Sequence, residues 1–269
     1  MPATWICSGS RGTGRSATDR CHRAPGSTVA AMAIRHDSGI VLRSYSFGEA
    51  DKIVVLLSPL HGKLRTVAKG VRKTKSRFGG RLESFMEVDV VLYEGRNLDL
   101  ITQAEMKSSF PSLRRDLEAV AAASTMAEVV DAVAQENEPS IALYALLRRG
   151  LAALDAGLTS RDVLTAFLLQ LLTVQGLAPA LTRCASCGQT RSLDRFSVAA
   201  GGILCGDCRP EGSVRLRPGL VDRLADLATL DLAMIEPDDD LGSDAMWVTR
   251  RFVEFHLERR IVSLAVLDG

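Results

Sequence analysis

Two cysteine hooks, Cys184-Ala-Ser-Cys187 and Cys205-Gly-Asp-Cys208, stand seventeen residues apart in a chain of 269 residues. Paired C-x2-C hooks at that interval are how a chain folds around one zinc ion. Four thiolates close the coordination sphere, whereas a catalytic zinc keeps a position open for water and usually has His or Glu among its ligands. The predicted centre is therefore a structural zinc, one per chain, held by Cys184, Cys187, Cys205 and Cys208. Small or polar residues lie between the cysteines, with Gly188 and Gly206 where the backbone is expected to turn tightly around the sulfurs. Rival chemistries fit less well. A redox pair needs one C-x-x-C beside a βαβ pattern, and two disulfides need an oxidising compartment that nothing in the sequence indicates.

A second concentration of chemistry is basic. No acidic residue lies between Lys52 and Glu83, and residues 63–81 hold Lys63, Arg65, Lys69, Arg72, Lys73, Lys75, Arg77 and Arg81, a local charge of +8. Self-repulsion at that density favours a polyanion partner, and a phosphate backbone is the simplest one. A solvated loop is the plainer alternative for Arg72–Arg77. Phe78, beside Arg77, either stacks on an unpaired base or plugs the end of a barrel. With no recognition helix, contact of this kind is indifferent to base identity.

No set of residues points to catalysis. His22, His36, His61 and His256 are scattered without metal-ligand spacing, and His61 before Gly62 reads as a turn residue. Walker A, G-x-S-x-G and dinucleotide-binding glycine patterns are absent. The run Asp238-Asp-Asp240 reads as a solvated loop rather than a magnesium site. The expectation is a protein that is not an enzyme.

The elements that must position these residues change character at Pro111. Before it, Ile40–Leu42, Lys52–Leu57, Lys63–Ala68, Phe85–Tyr93 and Leu98–Ala104 are short β-branched segments separated by turns. Five strands of this kind fit a five-stranded β-barrel, the OB-fold, although an SH3-like barrel has a similar pattern. After Pro111 the apolar period becomes 3.6. Ser112 is expected to cap a helix reaching about Gln135. Tyr144, Leu147, Leu151 and Leu154 stripe the next helix, which Gly157 ends, and Thr159 or Ser160 caps a third that is apolar nearly all round and so central. Arg217-Pro-Gly opens a further helix, and Val248, Phe252 and Phe255 mark the core face of the last. The fold class is thus α+β: residues 32–110 an OB-fold domain and residues 111–269 an α-helical domain with an inserted zinc module at residues 182–210.

Composition is that of a globular protein, 46% hydrophobic with net charge +1. That balance hides an asymmetry: residues 1–31 carry +3, residues 32–110 carry +4 and residues 111–269 carry −6, with no lysine after Lys107. An N-terminal half that meets a polyanion is the natural reading. Residues 1–31, rich in Ser, Gly, Thr and Arg, are expected to be disordered, a transit peptide, or an extension preceding a true start at Met32. No apolar run approaches a membrane span, so no membrane partner and cytoplasmic residence are expected.

The motifs Gly39-Ile-Val-Leu-Arg43, Gly48-Glu-Ala-Asp-Lys-Ile-Val54, His61-Gly-Lys63, Lys69-Gly-Val-Arg-Lys-Thr-Lys-Ser-Arg-Phe-Gly79 and Leu98-Asp-Leu-Ile-Thr-Gln-Ala-Glu105, followed by the helical middle and the cysteine hooks, occur in an order that resembles the bacterial RecO family over about residues 34–265. The resemblance implies an OB-fold, a helical domain and a zinc module. It also implies a recombination mediator in DNA repair that binds single- and double-stranded DNA, promotes annealing, associates with RecR and single-strand-binding protein, helps load RecA, and resides with the nucleoid. Two other classes remain open from the residues alone: a general RNA-binding module, and a zinc-stabilised protein-interaction scaffold.

Overall fold

A computed structural model describes residues 34–73, 76–258, 260–261 and 263. The expectations for residues 1–31, and for Lys75, lie outside those residues.

Five strands, β1 (Ile34–Phe47), β2 (Asp51–Ser58), β3 (Gly62–Ala68), β4 (Glu87–Tyr93) and β5 (Asp99–Ser108), close into a barrel in the order β1-β2-β3-β5-β4. The one parallel pairing, β3 with β5, is made at Thr66–Asp99 and Val67–Leu100. This OB-type closure excludes the SH3-like alternative.

β1 is far longer than Ile40–Leu42. Its first half pairs with β4 and its second with β2, with a register shift between Val41 and Arg43 where it changes partner. Bending at such a bulge lets one strand wrap the barrel. Polar residues such as His36, Asp37 and Ser38 hide this extension from a search for β-branched runs.

Alternation divides the barrel's residues between two cores. Val41, Val54, Leu56, Leu64, Val88, Val90, Leu92 and Ile101 fill the interior, together with Phe78 and Leu82 from the β3–β4 connection. Ile40, Leu42, Val55, Leu57 and Phe85 face outward and join the core of the helices. Barrel and helices therefore share apolar packing.

The helices are α1 (Leu117–Val133), α2 (Ile141–Asp155), α3 (Ser160–Val174), α4 (Leu220–Thr229) and α5 (Gly242–His256). Asp116, rather than Ser112, caps α1, its carboxylate accepting from the amides of Glu118 and Ala119. A single 3-10 turn at Leu113–Arg115 intervenes. Ser140 caps α2 by accepting from Leu143 N. α3 is buried on nearly every side and packs against α1, α2, α4 and α5, the central position its sequence predicts. α4 starts at Leu220, with Gly219 in the left-handed region at φ 84°.

On α5, Val248 and Phe252 are buried, but Phe255 is 55% exposed. The buried face of α5 also takes in Ala245, Thr249 and Val253. On a turn of 3.6 residues those positions centre near 256 and leave 255 at the edge, and the His256 ring centroid lies 4.2 Å from that of Phe252. Two buried polar clusters complete the joints. Glu87, 4% exposed, accepts from Tyr144 Oη at 2.9 Å and from Arg148 Nε at 3.1 Å, tying β4 to α2. Asp162, fully buried on α3, pairs with Arg223 of α4 at 3.2 Å.

Candidate metal centre and nucleic-acid interface

The cysteine module is a small sheet, β7 (Gly202–Cys205), β6 (Leu193–Ser197) and β8 (Val214–Arg215) in that order, placed between α3 and α4. Its apolar side is continuous with the helical core: Ile203 is buried there, and Phe196 meets Phe252 of α5 with centroids 5.8 Å apart. Each hook is a tight turn. Gly188 N donates to Cys184 O at 2.9 Å with Gly188 at φ 76°, and Cys208 N donates to Cys205 O at 3.1 Å. Gly188 thus needs the left-handed conformation that glycine adopts without strain. Gly206 does not share that role: its φ is not positive, and an added Cβ would come no nearer than 3.9 Å to Asp194 Oδ1.

The four Sγ atoms lie within 4.8 Å of one another. Cys187 and Cys205 are 3.8 Å apart, far beyond the ~2.05 Å of a disulfide. A tetrahedral ion with metal–sulfur bonds of ~2.3 Å has sulfur–sulfur edges of about 3.8 Å, so the four residues fit a metal ion. Cys184 and Cys205 are buried, and Cys187 faces solvent. Burial pushes the Cys184 thiol up, but backbone amides of Cys187, Cys205 and Ser186 outweigh it and hold the thiol down at about 6. Hydrogen bonding within the cluster, first with Cys205, pushes Cys208 up to about 12. An anion is thus favoured at Cys184, while Cys187 and Cys208 hold their protons more tightly.

The basic segment divides by position. Lys63 stands on β3 but points across to α1, with Nζ 2.7 Å from Asp131 O and 3.5 Å from Asp131 Oδ1. It joins barrel to helix and is not free for phosphate. Arg65 contacts Tyr45 Oη at 3.4 Å and Glu136 at 3.8 Å while remaining exposed. For Lys63 and Arg65 the acidic partners that the basic segment itself lacks are supplied by Asp131 and Glu136, from the helical half of the chain.

Lys69, Arg72, Lys73, Arg77 and Arg81 are exposed on the β3–β4 connection. Among the described residues, none of these five side chains makes an ion pair. Phe78 is 1% exposed within the barrel interior, so the ring plugs the barrel and is not a base-stacking surface. Arg77 lies over it at 4.8 Å, and Arg81 Nη1 donates to Arg77 O at 2.9 Å. The plug fixes the connection while its cations stay outside.

Ser58, Asp37 and His61 form a cluster that sequence spacing conceals. Asp37 Oδ1 accepts from Ser58 Oγ at 2.8 Å, and Asp37 Oδ2 lies 2.8 Å from His61 Nδ1. In an acyl-transfer triad the ring stands between carboxylate and hydroxyl, whereas here the carboxylate stands between ring and hydroxyl. Ser58 Oγ also accepts from the amides of Leu60 and His61, so the cluster holds the β2–β3 turn. Asp238 is likewise structural, its carboxylate accepting from Leu241 N and Asp240 N, bonds that keep its pKa below the usual carboxylate range.

Residues 32–110 match the family described as "Recombination protein O N terminal", and residues 114–265 match "Recombination protein O C terminal". This chain belongs to the recombination protein O family. Its similarity to "DNA repair protein RecO" of Nocardioides sp. is 42% identity over 239 residues, covering 86% of this chain and 98% of that protein. "DNA repair protein RecO" of Thermobifida fusca is 38% identical over 241 residues, covering 88% of this chain and 99% of the relative. The basic connection falls within the RecO N-terminal match and both cysteine hooks within the RecO C-terminal match. Arg43, Tyr45 and Phe47, outward residues of β1 to which sequence spacing assigns no role, lie in the RecO N-terminal match as well. Their only signal is alternation by two. No helix among the described residues is long and apolar enough to cross a membrane.

Proposed function

We propose that this chain is a non-enzymatic recombination mediator in DNA repair. It binds single- and double-stranded DNA through phosphate contacts, promotes annealing, and acts with RecR to load RecA onto DNA coated by single-strand-binding protein, in the cytoplasm at the nucleoid. The role in DNA repair rests on the family. The DNA contact rests on one observation: Lys69, Arg72, Lys73, Arg77 and Arg81 are exposed on a connection that Phe78 pins to the barrel. Cations held this way meet a phosphate backbone without closing over base edges, leaving the bases available for pairing.

The four-cysteine centre holds zinc in this reading, with Cys184, Cys187, Cys205 and Cys208 as its ligands. Bound there, zinc supplies cross-linking rather than reaction chemistry, because no coordination position remains for water. The deciding experiment is annealing of complementary strands coated with single-strand-binding protein. Acceleration by this protein, with no nucleotide cofactor added, supports the proposal. An unchanged rate together with no measurable DNA affinity overturns it.

A further inference from the structure

Arg43, Tyr45 and Phe47 occupy alternate positions at the end of β1 and share its outward face. The register sets Arg43 opposite Val55 and Tyr45 opposite Ile53 on β2, and these in turn stand opposite Arg65 and Val67 on β3. Phe47 is 50% exposed. Tyr45 is partly buried, with the Arg43 guanidinium 5.4 Å from its ring centroid and Arg65 Nη2 3.4 Å from its hydroxyl. The result is two aromatic rings on a face crossed by arginines.

This face meets the basic connection directly. Phe47 precedes the β1–β2 turn, and Arg72 grips that turn, with its amide donating to Ala50 O at 2.9 Å and its Nη1 to Gly48 O at 3.4 Å. Gly70 N donates to the Asp51 carboxylate at 2.8 Å, so the acid opposite Phe47 is already engaged. The exposed ring and the exposed cations therefore share one end of the barrel.

Alternate side chains on a strand stand about 6.7 Å apart, roughly two steps of the 3.4 Å base stack. One unpaired base fits between two such rings. In a duplex the base faces are already covered by their neighbours, whereas phosphates are offered by single and double strands alike. We propose that Tyr45 and Phe47 form a base-stacking platform that makes single-stranded DNA the favoured ligand of the basic connection. This rests on the reading of that connection as a phosphate-binding surface. Arg43 pairs with Asp131 at 2.8 Å and Arg65 with Glu136 at 3.8 Å, but both side chains keep about half of their surface exposed. With the exposed Lys69 just past β3, they suit a polyanion with open base faces better than an apolar protein segment.

The test titrates the full chain with oligothymidine and with a duplex of equal length at one salt concentration. Because Phe47 is half exposed, Phe47→Ala leaves both cores intact. It is expected to weaken oligothymidine binding by about 5-fold to 100-fold, the range for one lost base–aromatic stack, with duplex affinity changed by less than about 2-fold on the same grounds. Phe47→Trp is expected to keep the affinity, and its added fluorescence to be quenched by oligothymidine but not by duplex. Unchanged oligothymidine binding by Phe47→Ala, or equal loss on both ligands, overturns the platform. The combined Lys69→Glu, Arg72→Glu and Lys73→Glu variant separates the two ideas. If it weakens both ligands while Phe47→Ala weakens neither, only the platform fails; if it weakens neither, the phosphate-binding reading fails first.

Discussion

Lys63 and Lys73 belong to one basic run, yet their surroundings assign them opposite jobs. Lys63 is held against Asp131 with its side chain 17% exposed, whereas Lys73 stands in solvent. Replacing Lys63 with Met should cost about 2 kcal/mol of stability, the scale of a hydrogen bond to a charged group, while DNA affinity stays near its original value. Reversing charge at Lys69, Arg72 and Lys73 should do the reverse, abolishing most single-strand binding with thermal unfolding unchanged. With four or five cations on phosphate, log affinity should fall with log salt at a slope of about −3 for single strands. A salt titration beside a melting curve checks both, and loss of DNA binding by the Lys63 variant at full stability would contradict the division.

Tyr144 gives a pH-dependent prediction at the same scale. Burial, and then its hydrogen bond to the Glu87 carboxylate, push its phenol well above the usual tyrosine range. Above pH ~10 the unfolded chain releases the phenolic proton and the folded chain keeps it, so stability falls as pH rises. Tyr144→Phe should lose about 1 kcal/mol at neutral pH through the missing hydrogen bond and show a shallower decline on the alkaline side. Denaturant unfolding at neutral and alkaline pH measures both. Parallel alkaline limbs in the two proteins would show that Tyr144 does not control the decline.

At the scale of elements, the junction of α3 with α5 depends on a position that has no side chain. A Cβ at Gly242 would stand 2.8 Å from Arg161 Nε and 2.9 Å from Asp162 Oδ1, inside the buried cluster that joins α3 to α4. Gly242→Ala should therefore destabilise by about 1–3 kcal/mol, as overpacking does. Gly206→Ala, in the second cysteine hook, meets nothing closer than 3.9 Å and should be close to neutral. Comparative melting of the two variants checks the contrast, and equal stability would mean that the Arg161 side chain simply moves aside.

For the whole molecule, the four-cysteine cluster and the barrel are linked through one apolar core. Ile203 and Phe196 of the cysteine module, the helices, and the outward barrel residues Ile40, Leu42, Val55, Leu57 and Phe85 all belong to it. Chelating the metal, or replacing Cys184 with Ser, should lower the stability of the helical region and release the ion, because binding free energy at such a site is folding free energy. Residues 32–110 expressed alone would expose that outward face, so an independently stable barrel is not expected. A single cooperative calorimetric transition for the full chain, and aggregation of the isolated fragment, are the anticipated results. Two separate transitions would show that the shared packing contributes little.

The sequence by itself determined what depends on local pattern: the hooks and their spacing, the switch from period two to period 3.6 at Pro111, the central apolar helix, and the order of motifs that marks the family. Each of these is written in residue type over a short interval. Tertiary structure alone decided the fate of individual side chains. Phe78 turned inward because the β3–β4 connection closes the barrel, and Lys63 was claimed by Asp131 from an element 68 residues away. β1 outran its apolar core because one bent strand pairs with two neighbours. Phe255 missed the core because the helical stripe passes through His256. The aromatic face of β1 became visible only when pairing brought Arg65 and the basic connection beside it. Long-range contacts are set by which elements meet, and no local window of sequence contains both partners.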